Sequence, residues 1–262
     1  MEETGPIEVK NVVVPGVIYL AEFISEEEEE HLIRKIKESS QQKWKALANR
    51  RLQIWGGEIT PKGTLCRQPL PDFVDTYPDL VSRIKATGMF PDSPHKQPNH
   101  IIMNEYLPGQ GIMPHEDGPV YHPVVATLSL GSHCVFNYYK YKDHDPDPSS
   151  SSSGVGRAVD MNPVFSLLLE RRSLVISFSD MYTSHLHGID EKTEDFIVSN
   201  ASQPSEASTA IRIDNFHLIQ NDIKETIQKG QPLKRETRWS LTCRDVTRTS
   251  NLAARPFTTG RK

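Results

Sequence analysis

The sequence predicts a mainly β fold with flanking helices, an α+β arrangement whose strands close into a barrel or sandwich. Three observations carry that prediction. Beyond residue 99, short runs rich in β-branched and aromatic residues recur between turn residues, the texture of an all-β core. Near the C-terminal end, Arg238-Trp239-Ser240-Leu241-Thr242-Cys243-Arg244 alternates polar and apolar positions without a break, the period of a half-buried strand. Ahead of residue 99 the pattern is a capped helical stretch followed by Pro-punctuated loops. A hydrophobic fraction of 36% and a mean hydropathy of -0.51 imply that part of the 262 residues is solvated loop. One large domain with insertions is expected at this length.

Taken in order, Ser25 followed by Glu26 to Glu30 and then His31 to Lys37 reads as a helix. Ser25 is its N-cap and Glu28 completes a capping box. The acids of the first turns and Arg34, Lys35 and Lys37 near the end complement the helix dipole, while Leu32, Ile33 and Ile36 form the apolar stripe. From Lys43 to Gly57 the segment KWKALANRRLQIWGG interleaves Lys43, Lys45, Arg50 and Arg51 with Trp44 and Trp55. That mixture suits phosphate contact and base stacking; it equally suits an amphipathic hairpin whose tryptophans enter the core. Pro61 to Pro98 carries one helix around Leu80 to Lys85.

The strand candidates that follow are His100 to Leu107, Met113 to Asp117, Val125 to Leu130, Val135 to Tyr141, Val164 to Leu169, Leu174 to Phe178, Thr183 to Ile189 and Arg238 to Arg244. Two insertions interrupt them. Residues 142–162 contain DHDPDPSSSSSGVG, the composition of a flexible surface loop. Residues 191–236 start acidic and Ser-rich and end in IRIDNFHLIQNDIKETIQKG; a loop of this length is a lid or disorder, and the sequence leaves both open.

Composition excludes several classes. No run approaches the roughly 18 apolar residues of a membrane-spanning helix, and Glu2, Glu3, Glu8 and Glu22 without a basic patch argue against a secretory leader. Cytoplasm and nucleus are the expected locations. Cys66, Cys134 and Cys243 are odd in number and widely spaced, so neither a disulfide framework nor a zinc cage is indicated. A net charge of -4 argues against coating nucleic acid through bulk electrostatics, although a local basic patch remains compatible with it.

His115-Glu116-Asp117 places an imidazole and a carboxylate two residues apart, on one side of a strand. By itself the pair is weak, since about one is expected by chance in a chain with this many histidines and aspartates. The turn-rich lead PGQGIMP before it, and the later His185-Leu186-His187-Gly188-Ile189, raise its weight. A third imidazole would complete a facial set of two histidines and one carboxylate, which suits iron(II) with open positions. His187 is the preferred third ligand because Gly188 leaves room beside the metal, with His185 in reserve. A zinc hydrolase uses similar ligands, but no H-E-x-x-H helix is present.

On the C-terminal strand Arg238, Ser240, Thr242 and Arg244 share one face. Inside a barrel, two arginines require anionic partners. A small dicarboxylate meets that need, one end held by a guanidinium and the other chelating iron; 2-oxoglutarate is such a molecule. Asn104 and Tyr106 repeat the i, i+2 logic and offer an amide and a phenol to the same ligand.

In order and spacing, N-x-Y at 104–106, H-x-D at 115–117, H-G at 187–188 and R-x5-R at 238–244 resemble the AlkB family of Fe(II)/2-oxoglutarate-dependent dioxygenases. The stretches LQIWGG, NEYLPGQGIMPHEDGP, TLSLGSHCVF, SLLLERRSL and LHGI resemble in particular its AlkB homologue six branch. The resemblance implies a double-stranded β-helix (jelly roll), with residues 1–99 as N-terminal helices and substrate-recognition loops packed on it. Residues 100–250 would form the dioxygenase domain and 251–262 a C-terminal tail.

It implies His115, Asp117 and His187 as iron ligands and catalytic residues, and Asn104, Tyr106, Arg238, Ser240 and Arg244 as 2-oxoglutarate residues, an asparagine often standing where Ser240 is. Dioxygen is the oxidant. Family members recognise substrate through loops ahead of the barrel, which places Lys43, Trp44, Lys45, Arg50, Arg51 and Trp55 at the substrate. The implied reaction is oxidative demethylation of an N-methylated base in RNA or DNA, with release of formaldehyde. A protein side-chain hydroxylase or demethylase, and a nucleic-acid binding module with little turnover, are the alternatives; a methylated oligonucleotide or a peptide that drives succinate formation separates them. No membrane partner is expected, and the oligomeric state is open.

Overall fold

The computed structural model describes residues 11–142, 157–198 and 210–250. Most of the first insertion (143–156), part of the second (199–209) and the tail at 251–262 lie outside the described residues.

Two antiparallel sheets face each other. In chain order their strands are β1 (Val12–Val14), β2 (Val17–Leu20), β3 (Lys45–Leu47), β4 (Arg50–Trp55), β5 (His100–Tyr106), β6 (Ile112–His115), β7 (Tyr121–Leu130), β8 (Cys134–Tyr139), β9 (Phe165–Leu169), β10 (Leu174–Phe178), β11 (Leu186–Ile189) and β12 (Arg238–Val246). The larger sheet runs β1-β2-β10-β7-β12-β5-β4-β3 and the smaller β9-β8-β11-β6. From β5 to β8 the chain crosses from one sheet to the other at every step, and from β9 to β12 it does so again. This alternation winds a double-stranded β-helix, the predicted fold.

Residues 11–99 supply strands as well as helices. β1 and β2 extend one edge of the larger sheet through β10, and β3 and β4 extend the other through β5, with Leu52 opposite Asn104 and Trp55 opposite Ile101. The turn between β1 and β2 needs Gly16, which sits at φ +90; a Cβ there would lie 2.8 Å from the Phe178 carbonyl oxygen.

Helix α1 (Glu26–Glu38) starts at the capping box read from the sequence, with Ser25 accepting from the Glu28 N–H and Glu28 accepting from the Ser25 N–H. It lays Leu32 and Ile36, both fully buried, on the outer face of the larger sheet, and each contributes about 1.5–3 kcal/mol by leaving water. Its one buried acid, Glu29, accepts from the Gly131 N–H and from Arg171 at 2.8 Å, which ties the helix to the β7–β8 turn. Helix α2 (Leu80–Ala86) buries Leu80, Val81 and Ile84 beside it. Under these helices lie Ile101, Met103, Ala126, Leu128, Trp239, Leu241 and Cys243, all from the outer face of the larger sheet.

The described part of residues 191–236 is neither lid nor structureless loop. Ile197, Ile213, Ile219, Leu233 and Ile227 of helix α3 (Asn221–Gln228) pack with Val135 and Leu168. They cover the outer face of the smaller sheet, as the N-terminal helices cover the larger. Both outer faces are thereby sealed, and Asn104 and Tyr106 of β5 and the polar row of β12 are left facing the space between the sheets. All three cysteines are free.

Candidate active site

A cavity of about 280 Å³ opens between the sheets. Alternation along the larger sheet decides what lines it. Asn104 and Tyr106 of β5, and Arg238, Ser240, Thr242 and Arg244 of β12, face inward, while Trp239, Leu241 and Cys243 join the outer core. Register puts Arg238 opposite Tyr106 and Ser240 between Asn104 and Ser129, so these side chains form adjacent rows on one floor.

At the open end, His115, Asp117 and His187 bring one donor atom each to within 4.8 Å of one another. His115 and His187 are directly opposite across β6 and β11, with ring centroids 4.4 Å apart, and His187 stacks on Phe136 at 5.3 Å. Strand β6 ends at His115, two residues earlier than the alternation predicts, so Asp117 reaches the cluster from the following loop. His185 is buried elsewhere, its Nδ1 2.9 Å from the Asp180 carbonyl, and takes no part. Gly188 differs from expectation in its reason: a Cβ there would meet the Ile112 carbonyl at 3.0 Å and the Pro114 nitrogen at 3.1 Å. The glycine therefore allows β11 to approach β6, rather than clearing space for a metal.

The protonation states suit a cation. Burial, reinforced by the charge of His115, pushes His187 down to about 3, and burial lowers His115 as well, so both rings are neutral near pH 7. The His115 Nδ1 lies 2.9 Å from the Met113 carbonyl, which can only accept; Nδ1 therefore carries the proton and Nε2 keeps its lone pair. Burial opposes ionisation of Asp117, but the charge and hydrogen bonds of Arg244 outweigh it and hold the carboxyl below its usual range. Arg244 makes a bidentate pair with Asp117 that fixes the carboxylate plane.

Deeper in, Arg238 is 3% exposed and donates to the Ser129 hydroxyl at 2.8 Å, yet its Nε and Nη1 are buried without partners, as is Nη1 of Arg244. Unpartnered guanidinium N–H groups cost too much to be left empty in a folded interior. Tyr106 lies beside Arg238, and burial raises its pKa, so its phenol is a donor at neutral pH. The donor set at the mouth fits a divalent metal with open positions, and the cationic floor fits a small dicarboxylate.

The six predicted substrate residues divide. Arg50 lines the cavity. Lys43 is exposed in the short turn before the hairpin and Lys45 is exposed on it, 3.7 Å from Glu58. Arg51 points to the opposite face, where it pairs with Glu105 at 2.6 Å and stacks over Trp44 at 3.9 Å. Trp55 is a correction: at 5% exposed it belongs to the core, edge-on to Phe73, because its parity on β4 turns it toward the N-terminal helices. Tyr121, Phe136, Thr127 and Ser177 also line the cavity, and no motif in the sequence marks them.

Such a barrel, with two imidazoles and a carboxylate at its mouth and arginines on its floor, defines an oxygenase of the jelly-roll kind. The chain belongs to the 2OG-Fe(II) oxygenase superfamily, which it matches over residues 53–244. It is 38% identical over 232 residues, 88% of this chain and 86% of the relative, to a Danio rerio protein described as "Probable RNA/DNA demethylase ALKBH6". An Acanthamoeba polyphaga mimivirus protein of undescribed activity is 31% identical over 128 residues, 48% of this chain and 57% of that one. Among solved structures, OsALKBH1 superposes with a TM-score of 0.51 at 15% identity, covering 88% of this chain and 99% of that one; this likeness concerns the fold. Fe(II), 2-oxoglutarate and dioxygen are accordingly the cofactor and cosubstrates.

Proposed function

We propose that the protein oxidatively demethylates N-methylated bases in RNA or DNA. His115, Asp117 and His187 would hold the iron; Arg238, Tyr106, Asn104, Ser240 and Arg244 would bind or border 2-oxoglutarate. The observation that carries the site is the pair of buried, unpartnered nitrogens of Arg238 beside the three-donor cluster. The nucleic-acid substrate is supported by the Danio rerio relative's description and by the exposed Lys43 and Lys45 ahead of the barrel.

Bound iron supplies oxygen activation coupled to conversion of 2-oxoglutarate to succinate and carbon dioxide. The chain's own residues orient and exclude. Arg238 and Tyr106 hold the distal carboxylate by charge-assisted hydrogen bonds. Arg244 keeps Asp117 ionised and in one plane. The Met113 carbonyl keeps the His115 lone pair on Nε2. Val125, Val175 and Ile189 line the same cavity and keep it dry. A methylated base must leave its stack to reach this depth.

The test is succinate and formaldehyde release from a panel of methylated RNA and DNA oligonucleotides, with methylated and unmethylated peptides alongside. Formaldehyde in step with succinate only with methylated oligonucleotides supports the reading. Turnover only with peptides replaces it with a protein hydroxylase or demethylase, and tight oligonucleotide binding without succinate replaces it with a binding module. Fractionation of tagged protein tests the accompanying placement in cytoplasm and nucleus.

A further inference from the structure

Arg50 stands in the basic segment whose composition suits either phosphate contact or an amphipathic hairpin, and its side chain turns into the barrel. Its Nε lies 3.1 Å from Oδ1 of Asn104, and it lines both the inner cavity and an outer one of about 460 Å³. The outer cavity is walled by the hairpin tip, Leu47 to Arg50, on one side and by Gly111 to His115 on the other. Arg50 therefore stands where the substrate side of the site meets the cosubstrate side.

We infer that Arg50 is a positioning residue for the cosubstrate, acting through the Asn104 amide, and is not primarily a phosphate contact. A guanidinium can only donate, so the Asn104 atom facing it must be the oxygen. That leaves the amino group, with two donors, for the cavity that Asn104 lines. A carboxylate ligand needs donors; with the amide free to turn over, Asn104 would present its oxygen to the anion in part of the population. Arg50 prevents that turnover.

The hairpin holds Arg50 in place. Leu47 and Arg50 pair across its two-residue tip, Leu52 pairs with Asn104 itself, and the Asn49 amide donates to the Glu191 carboxylate where the second insertion begins. Arg50 lines the inner cavity together with His115 and Tyr106, which places the guanidinium among the site's residues rather than outside them. The inference rests on the reading of Asn104 as a 2-oxoglutarate residue, and the test separates the two.

The 2-oxoglutarate dissociation constant is measured on the iron(II) protein, without oxygen, from the visible charge-transfer band. The variants are Arg50→Ala, Arg50→Lys, Asn104→Ala and Arg50→Ala/Asn104→Ala, with thermal melting as a fold control. Binding of a single-stranded RNA oligonucleotide is followed in parallel by anisotropy. The expected result is about tenfold weaker 2-oxoglutarate binding for Arg50→Ala and Asn104→Ala, roughly one hydrogen bond's worth. The double variant should be no weaker than Asn104→Ala, since the two act as one unit. Arg50→Lys keeps the charge but has no Nε–H, so it should not restore 2-oxoglutarate affinity, and RNA binding should stay within about twofold of wild type. Unchanged 2-oxoglutarate binding in Arg50→Ala with lost RNA affinity that Arg50→Lys rescues would overturn the inference and return Arg50 to phosphate contact. Additive effects in the double variant would overturn the route through Asn104. Unchanged binding in Asn104→Ala would remove the underlying reading of Asn104, and the inference with it.

Discussion

Arg235 and Arg238 stand three residues apart, at 8% and 3% exposed, and their surroundings are opposite. Arg235 donates from Nε and Nη2 to the Asp195 carboxylate at 2.7 and 2.8 Å and from Nη1 to the Asp190 carbonyl at 2.7 Å. Asp195 also takes His133 at 3.1 Å; burial works against its ionisation, yet the Arg235 and His133 hydrogen bonds bring it down to about 2. Arg238 has a serine hydroxyl and two unpartnered donor nitrogens beside a cavity. A buried cation whose hydrogen bonds are all met by the chain belongs to the fold. One left unmet at a cavity wall is built for a ligand that brings the missing acceptors.

The comparison is broken most severely at Arg235. Arg235→Ala leaves Asp195 buried without its main partner and is expected to destabilise the protein by about 3–5 kcal/mol. Denaturant unfolding measures this loss, and the folded fraction should still bind 2-oxoglutarate normally. Arg238→Ala should do the reverse. Losing two charge-assisted hydrogen bonds weakens 2-oxoglutarate by about 100-fold, while the melting temperature of the ligand-free protein holds or rises; a drop of many degrees would show that Arg238 serves the fold.

A smaller effect comes from His100, which lies opposite Arg244 on β5. Burial, and then the charge of Arg244, depress its pKa from the ordinary 6.5 to about 4. The unfolded chain thus takes a proton that the folded one refuses. Stability is fully present above about pH 6.5 and declines as pH falls toward 4, by on the order of 2 kcal/mol from this residue. His100→Asn should flatten that limb of the stability-against-pH curve; an unchanged slope would assign it to other groups. Smallest of all, Lys45→Ala removes an exposed contact to Glu58 and should move stability by less than about 0.5 kcal/mol. Trp55→Phe should leave oligonucleotide affinity untouched, because the ring lies in the core.

The site was legible where chemistry and strand parity coincide. Arg238, Ser240 and Arg244 share a face by alternation alone, and His115 with Asp117 nearly so. The segment from Lys43 to Trp55 was not legible, because parity tells which residues share a face but not which face is covered. That depends on α1 and α2, which pack on the side of Arg51, Gln53 and Trp55 and leave Arg50 and Leu52 to the cavity. The hairpin VVVPGVIYL carried a readable signal, two β-branched runs around Pro-Gly, that marks β1 and β2. In residues 191–236 the helical spacing of Ile219, Ile223 and Ile227 was readable, but Ile197, Ile213 and Leu233 stand far from it in sequence, and their shared partners lie on the smaller sheet. Only the tertiary contact makes that segment a cover.

In the proposed site one cavity would hold iron through His115, Asp117 and His187 and 2-oxoglutarate through Arg238. Its most direct test is anaerobic titration of the metal-free protein with iron(II) and then 2-oxoglutarate, following the visible charge-transfer band in wild type, His187→Ala, Arg238→Ala and Arg235→Ala. A band in wild type that is absent in His187→Ala, shifted to about 100-fold higher 2-oxoglutarate in Arg238→Ala, and intact in the folded fraction of Arg235→Ala is the predicted result. A wild-type band that survives unchanged in His187→Ala or in Arg238→Ala would contradict it.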